Sequence, residues 1–451
     1  MGLLLSRNFF LLFISVFFSG CVAITGHGDA LNSFEVTLKN TTCNYSFVDK
    51  KINNKEDILL WSSQGGSLAR NCLDYNKSNE FFDRAEDLYK SDVDLKSNVN
   101  RTYNSVNTIL ANNNVNEYTG NVYEKVMLNT YKGLNFMGLG DFENARVEFN
   151  RALDRQRRAK EYFADEINKA KQKNQKNENY TKAQNRHTQK AIYDRYKDTF
   201  EGFETYPDFI NPYATYIGGL FFLFDKDYAK ARDLLKESLS MQPSNQQIKK
   251  DFELAEKLSG FAKKEKNYAW IIYENGQSMG KKEININIPL FIFTNKVYYA
   301  GIALPKLYTR SSSYEYLEVN NQKSVLIANM DSVIKAEFEK RFSKIAIEAT
   351  LNLIVKTYSQ YELNKRGSLG GFAGMLYQSL TNRADIRSWT ALPKNFQSLR
   401  VELDGSPVII KDDRGKIIST VQVENNSDAL IYIKSSIKED IRVHKIIRGK
   451  R

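Results

Sequence analysis

Residues 133–153 read GLNFMGLGDFENARVEFNRAL. The informative positions are Gly133, Phe136, Gly140, Phe142, Ala145, Phe149 and Ala152. Apolar and small residues recur at spacings of three and four, the period of one helix face. Gly140 interrupts that period, so the stretch is two helices joined by a tight turn. Gly140 ends the first helix in a left-handed cap, and Asp141 opens the turn into the second. Small residues at Gly133 and Ala145 let the antiparallel helices approach closely. Phe136, Phe142 and Phe149 then fill the seam between them.

The same register occurs twice more. Gly219, Phe222, Lys226, Tyr228, Ala231, Leu235 and Ser238 form a second copy, with Pro243 at its terminal stop and Lys226 in place of the turn glycine. Gly66, Ala69, Leu73, Tyr75, Ser78, Phe82 and Ala85 form a weaker third copy. The spacing resembles the tetratricopeptide (TPR) hairpin, whose unit is about 34 residues. Glycine to glycine, the offsets here are 67 and 86. Extra helices therefore lie between the units, one of them expected over 116–129. Residues 56–260 are expected to be an irregular TPR-like helical repeat region.

Residues 154–206 are a charged insertion, expected as two helices broken near 173–181. Its first 47 residues carry 13 basic against 7 acidic side chains. Such a segment is either a basic arm for an anionic surface or a solvated helical face. Beyond residue 261 the pattern turns to alternating β-branched and aromatic residues. Strands are expected over 268–273, 283–293, 296–303, 314–319 and 325–329. A long helix over 331–361, capped by Asp331, and a second over 368–382 follow. Strands over 398–403, 408–411, 417–424 and 430–433 end this part, and 437–451 is a basic tail, either a last strand or loose. The second half, 261–436, is thus expected to be an α+β domain, a mixed or antiparallel sheet with two packed helices. The fold class of the whole is α+β multidomain.

The N-terminus sets the address. Arg7 is followed by an apolar run over 9–18, too short to span a hydrocarbon core of about 30 Å. Phe18, Ser19, Gly20 and Cys21 resemble the lipobox of bacterial lipoproteins. That resemblance implies cleavage before Cys21 and acylation of Cys21 with fatty chains such as palmitate. The signal peptide would be 1–20, and 21–55, polar and rich in Asn and Lys, a tether. Val22, not Asp, follows Cys21, which favours the outer membrane under the enteric sorting rule. Cys43 and Cys72 remain, and an oxidising periplasm permits either a disulfide or two separate thiols.

Four stretches, 140–163, 211–231, 289–307 and 384–396, resemble an uncharacterised family of bacterial TPR-containing lipoproteins. Members tend to be encoded near lipoproteins similar to activators of penicillin-binding proteins. The resemblance implies no enzymatic activity.

Composition narrows the chemistry. The 451 residues are 42% hydrophobic and 26% charged, which excludes a disordered chain, and the net charge is +12. Mean hydropathy of −0.50 excludes a multi-span membrane protein. The three cysteines and three histidines, His27, His187 and His444, fall in no metal-ligand spacing. No metal, cofactor or catalytic residue is expected. Gly367, Gly370, Gly371 and Gly374 lack the Lys and Ser/Thr of a phosphate loop and are expected to pack closely against a neighbour. Arg387 and Trp389, in ADIRSWTALP at 384–393, are candidate binding residues, Trp389 as either a core plug or an aromatic platform for sugar or peptide. The expected function is a lipid-anchored, periplasm-facing scaffold that binds an envelope protein. Binding of peptidoglycan or another anionic glycan, or a role in export, is the alternative. Nucleic acid is not an expected partner.

Overall fold

The computed structural model describes residues 27–39, 42–94, 118–201, 211–293, 296–364, 383–424 and 426–447. The leader, Cys21 and the glycine-rich helix expected over 368–382 lie outside them.

Three helical hairpins carry the first half. They are α3 (Ile58–Asn71) with α4 (Tyr75–Asp94), α5 (Val122–Gly138) with α6 (Phe142–Gln175), and α10 (Pro212–Phe224) with α11 (Tyr228–Met241). Ahead of them lie α1 (His27–Lys39) and α2 (Ser46–Asn53). Between the second and third hairpins run α7 (Tyr180–Ala183), α8 (Arg186–Asp194) and α9 (Lys197–Phe200), and α12 (Gln246–Ser259) closes the series. At the hairpin seams, a methyl on Gly133 would meet the Phe149 ring at 2.9 Å, and one on Gly219 would meet Leu235 at 2.9 Å. A methyl on Gly66 would overlap the Phe82 ring. In all three hairpins the large residue stands sixteen positions after the glycine.

The turns repeat the same chemistry. Leu73, Gly140 and Lys226 each have positive φ, at 59°, 77° and 64°. After each comes an aspartate whose N–H donates back to the first helix: Asp74 to Ala69 O, Asp141 to Phe136 O and Asp227 to Phe222 O, at 3.0, 2.9 and 2.9 Å. Each aspartate side chain then accepts from the backbone three residues on, at Lys77, Asn144 and Lys230. That is a left-handed C-cap followed directly by an N-cap. A side chain in the left-handed region costs about 1–2 kcal/mol, partly offset by the entropy a glycine loses on folding. Lys226→Gly is expected to stabilise the chain by about 0.5–1 kcal/mol, read as a rise in the urea midpoint. A fall would contradict the strained turn.

Several expectations are corrected. Residues 27–39 and 46–53 are no tether but packed helices, with Leu31, Phe34, Leu38, Val48 and Ile52 buried. Of the two states left open for Cys43 and Cys72, the disulfide is the one present, joining the lead-in of α2 to the end of α3. The separate helix over 116–129 does not form, because α5 runs unbroken from Val122. The insertion breaks after Gln175, as expected, but its first part is the continuation of α6. Many of its charges pair locally, as in Lys169–Asp165 and Lys190–Asp194, which makes a solvated helical face.

The second half contributes β1 (Tyr268–Asn275), β2 (Gly280–Phe293), β3 (Lys296–Tyr308), β4 (Glu318–Val319), β5 (Gln322–Lys323) and β6 (Val325–Asn329). The 35-residue helix α13 (Met330–Asn364) follows, then β7 (Asn395–Glu402), β8 (Val408–Lys411), β9 (Ile417–Val421), β10 (Ala429–Ser435) and β11 (Ile441–Ile447). A mixed sheet has the order β11-β10-β1-β7-β6, with β1 parallel to β10 and antiparallel to β7. A smaller sheet runs β5-β4-β8-β9, and β2 and β3 form a long separate hairpin. Of the two readings open for the basic tail, the last strand is present over its described part, where β11 pairs with β10 along seven residues. Asp331 does not cap α13. Asn329 accepts from the Asp331 N–H, and the buried Asp331 carboxylate accepts from Lys394 at 2.6 Å.

Strand alternation separates the two faces of the five-stranded sheet. Ile271, Leu399, Val401, Ile431 and Ile433 face the small sheet. Trp270, Ile272, Phe396, Leu430 and Tyr432 face the helices. Helices of the first half cover that face. Tyr213 of α10 stacks on Phe396 at 3.5 Å, and Tyr216 donates to Asp251 and shares a hydrogen bond with Ser398. One continuous apolar core runs from Leu31 to Ile446, so the helical region and the α+β region share it. The architecture is α+β.

Within the hairpins Lys132 is buried against three carboxylates, Glu86 at 2.5 Å, Asp83 at 2.7 Å and Glu148 at 3.0 Å. Burial alone would raise the Glu86 carboxyl. Lys132 and Arg155 outweigh it and hold it down at about 2. A carboxyl depressed on folding stabilises above its unfolded pKa and loses that contribution as the pH falls toward its folded one. Relative to Glu86→Gln, the native chain is expected to gain about 3 kcal/mol at pH 7. The gain should shrink between about pH 5 and pH 2, in urea titrations across that range. A deficit in the variant that stays constant down to pH 2 would contradict the assignment.

Candidate functional site

Five parts of the chain converge on a cavity of about 340 Å³. They are the lead-in to α5, the last third of α6, the β2–β3 hairpin, α13 and the segment after residue 382. Lys281, Arg341, Lys344, Lys356, Arg383 and Arg387 line it, against Glu166, Glu348 and Asp385. Helical spacing sets the largest contribution. Arg341, Lys344, Glu348, Asn352 and Lys356 recur every three or four residues on α13 and so share one face.

Carboxylates fix several of these cations. Arg341 lies between Glu337, at 2.7 Å, and Glu166, and Lys344 reaches Glu166 at 3.0 Å. Burial would raise the Glu166 carboxyl, but Arg341 and Lys344 hold it down at about 2. Glu337 also receives the N–H groups of Val122 and Tyr123 at the start of α5, at 2.9 and 3.1 Å, so that helix terminus is tied to α13. Arg387 is buried between Asp57 at 2.6 Å and Asp385 at 2.8 Å. Its own burial opposes the charge, yet both carboxylates raise its pKa.

Two amines are tuned by desolvation. Lys281 donates to the Arg387 carbonyl at 3.2 Å, and burial pushes its pKa down. Burial pushes Lys356 down to about 8, so its charge is pH-sensitive in the neutral range. Among the described residues Arg383 makes no ion pair. The wall thus combines cations held rigid by carboxylates with Lys281 and Arg383, which make no ion pair among the described residues, an arrangement suited to an anionic group.

Among the described residues, one sequence candidate lines this cavity, Arg387. Trp389 is 1% exposed, which excludes it as a platform for sugar or peptide. It packs against Phe82 and Tyr131, and its indole N–H donates to Ser67 Oγ at 2.9 Å. The repeat residues Gly133, Phe149, Gly219 and Ala231 build hairpin seams away from the cavity. His27 lies 3.5 Å from Asp57, His187 starts α8, and His444 stacks edge-on against Tyr75. The cavity cations on α13 escaped sequence reading, although their three-and-four spacing was its signal.

The inner face of the helical array is covered. All of α10 is buried, as is α3 from Leu59 onward, and the sheet and the segment around Trp389 lie over them. Among the described residues no helix is long and apolar enough to cross a membrane. Comparison with protein-family models, with curated proteins and with solved structures finds no match to this chain.

Proposed function

We propose that this chain is a lipid-anchored envelope protein, attached through Cys21, that works as a binding scaffold rather than an enzyme. Its hairpins, of TPR type in register and turn chemistry, serve as the internal support. Their inner face is spent on the chain's own sheet, so a protein partner docks on the outer helices. The single observation that carries this reading is the cation-lined cavity where the two halves meet. Its charges are held by Glu166, Glu337, Asp57 and Asp385, a geometry for holding an anion in place. Lipobox residues Phe18 to Cys21 supply the anchor, and an outer-membrane site facing the periplasm follows from Val22.

Two measurements test it. Cells fed a labelled fatty acid are expected to label the wild-type chain and leave Cys21→Ser unlabelled. Crosslinking in intact cells is expected to join the chain to one envelope protein, with linked peptides on α4 or α11. An unlabelled wild-type chain, or one recovered only as itself after crosslinking, would count against the reading.

A further inference from the structure

The anchor is short. From Cys21 to His27, where α1 begins, there are six Cα–Cα steps, at most about 22 Å when fully extended. The helix that follows is docked on the body: Leu31, Phe34 and Leu38 are buried, and Glu35 pairs with Arg310 at 2.5 Å. A chain acylated at Cys21 therefore keeps the surface around His27 close to the bilayer.

One wall of the cavity lies near that surface. His27 Nδ1 is 3.5 Å from Asp57, and Asp57 is 2.6 Å from Arg387 in the cavity wall. Lys281 lines both the cavity and a neighbouring cleft of about 310 Å³ whose other wall is Gly28, Leu31, Asn32 and Glu35 of α1. Six cations against three carboxylates line the cavity, and the chain as a whole is basic at +12. Its volume is in the range that takes a small polar ligand of about 300 Å³ and more, and not two acyl chains. Bilayers concentrate phosphate groups at their surface, where Lys and Arg side chains are attracted to anionic headgroups.

We propose that this cavity holds the phosphate of an anionic lipid headgroup in the bilayer that carries the Cys21 anchor. The bound headgroup fixes how the scaffold stands on the membrane, a second attachment beside the acyl chains. Lys281, whose amine donates to the Arg387 carbonyl, and Arg383 make no ion pair among the described residues and supply the direct contacts. Arg341 and Arg387, clamped by their carboxylates, shape the wall.

The proposal rests on the lipid-anchored reading, and its test is kept separate from it. The leaderless chain carrying Cys21→Ser is mixed with phosphatidylglycerol-containing vesicles or neutral phosphatidylcholine vesicles and sedimented. Binding is expected to the anionic vesicles only, and soluble glycerol phosphate at millimolar concentration should compete. Lys281→Gln with Arg383→Gln should weaken binding about tenfold, because each cation near an anionic surface contributes several-fold. Lys171→Gln with Lys176→Gln, which removes the same charge from the insertion, should change it less than about twofold. Thermal melts of both double variants confirm that they fold. Equal losses in the two variants, or failure of glycerol phosphate to compete, would mean a diffuse surface charge and overturn the proposal. Equal binding to both vesicles, or to neither, overturns it as well. Acylation is read independently by fatty-acid labelling of the wild-type chain, so failure of the anchor and failure of the cavity give different results.

Discussion

Trp389→Ala is expected to cost about 3–5 kcal/mol, the usual range for removing a large aromatic side chain from a packed core. The ring contacts Phe82 of α4 and Tyr131 of α5, while its N–H donates to Ser67 of α3. One side chain therefore joins two helical hairpins to the segment that leads into β7. Its backbone N–H adds a bond to Glu124 Oε1 at 3.0 Å, and Glu124 belongs to the capping box of α5. Truncation leaves a cavity at that junction and orphans the Ser67 hydroxyl. Urea unfolding followed by tryptophan fluorescence and by circular dichroism checks it, and the two probes should shift together. A loss below about 1 kcal/mol would show that the hairpins and the sheet are not held together through this residue.

The same residue shows why part of the structure was legible in the sequence and part was not. The hairpin glycines are readable because their partners stand at a constant local distance, Gly66 with Phe82, Gly133 with Phe149 and Gly219 with Leu235. The caps Asp74, Asp141 and Asp227 share that register and are legible in the same way. Strands such as β2 show themselves by alternation, with Ile284, Ile286 and Ile288 turned inward relative to Asn285 and Asn287. Trp389 has no such local signal. Its partners lie more than 250 residues earlier, and an exposed platform and a buried plug have the same neighbours in sequence. Helix α1 was hidden differently. Leu31, Phe34 and Leu38 keep a helical period, but the surrounding Asn, Ser and Lys lower the mean hydropathy until the stretch resembles a linker. The cavity lies between these cases. Its α13 cations are periodic, whereas Lys281, Arg383 and Arg387 reach it only through the tertiary fold.

The second large effect is expected at Asp251, on α12. Its carboxylate is completely buried and accepts from four side chains on four elements. Tyr216 of α10 donates at 2.7 Å and Gln247 of α12 at 2.8 Å. Trp270 of β1 donates at 2.9 Å and Arg400 of β7 at 3.1 Å. The two halves of the chain thus meet on one charge. Burial raises the Asp251 pKa even against Arg400, so the group tolerates its position only because each oxygen is bonded twice. Asp251→Ala removes the anion but leaves Arg400, the Trp270 N–H and the Tyr216 hydroxyl facing a void, and breaking a buried pair in this way costs about 3–5 kcal/mol. Asp251→Asn keeps the shape and one acceptor oxygen. It presents an amide N–H₂ to two of the four donors, so its expected cost is intermediate, about 1–3 kcal/mol. The order Ala worse than Asn, measured by urea unfolding at pH 7, distinguishes a hydrogen-bonded junction from simple packing. If the two variants lose the same amount, the volume of the side chain and not its acceptors holds α12 to the sheet. The double variant Asp251→Ala with Arg400→Met supplies the last check, because removing the stranded cation should recover part of the loss. No recovery would show that Arg400 reaches solvent unaided and that the charge at this junction is not shared.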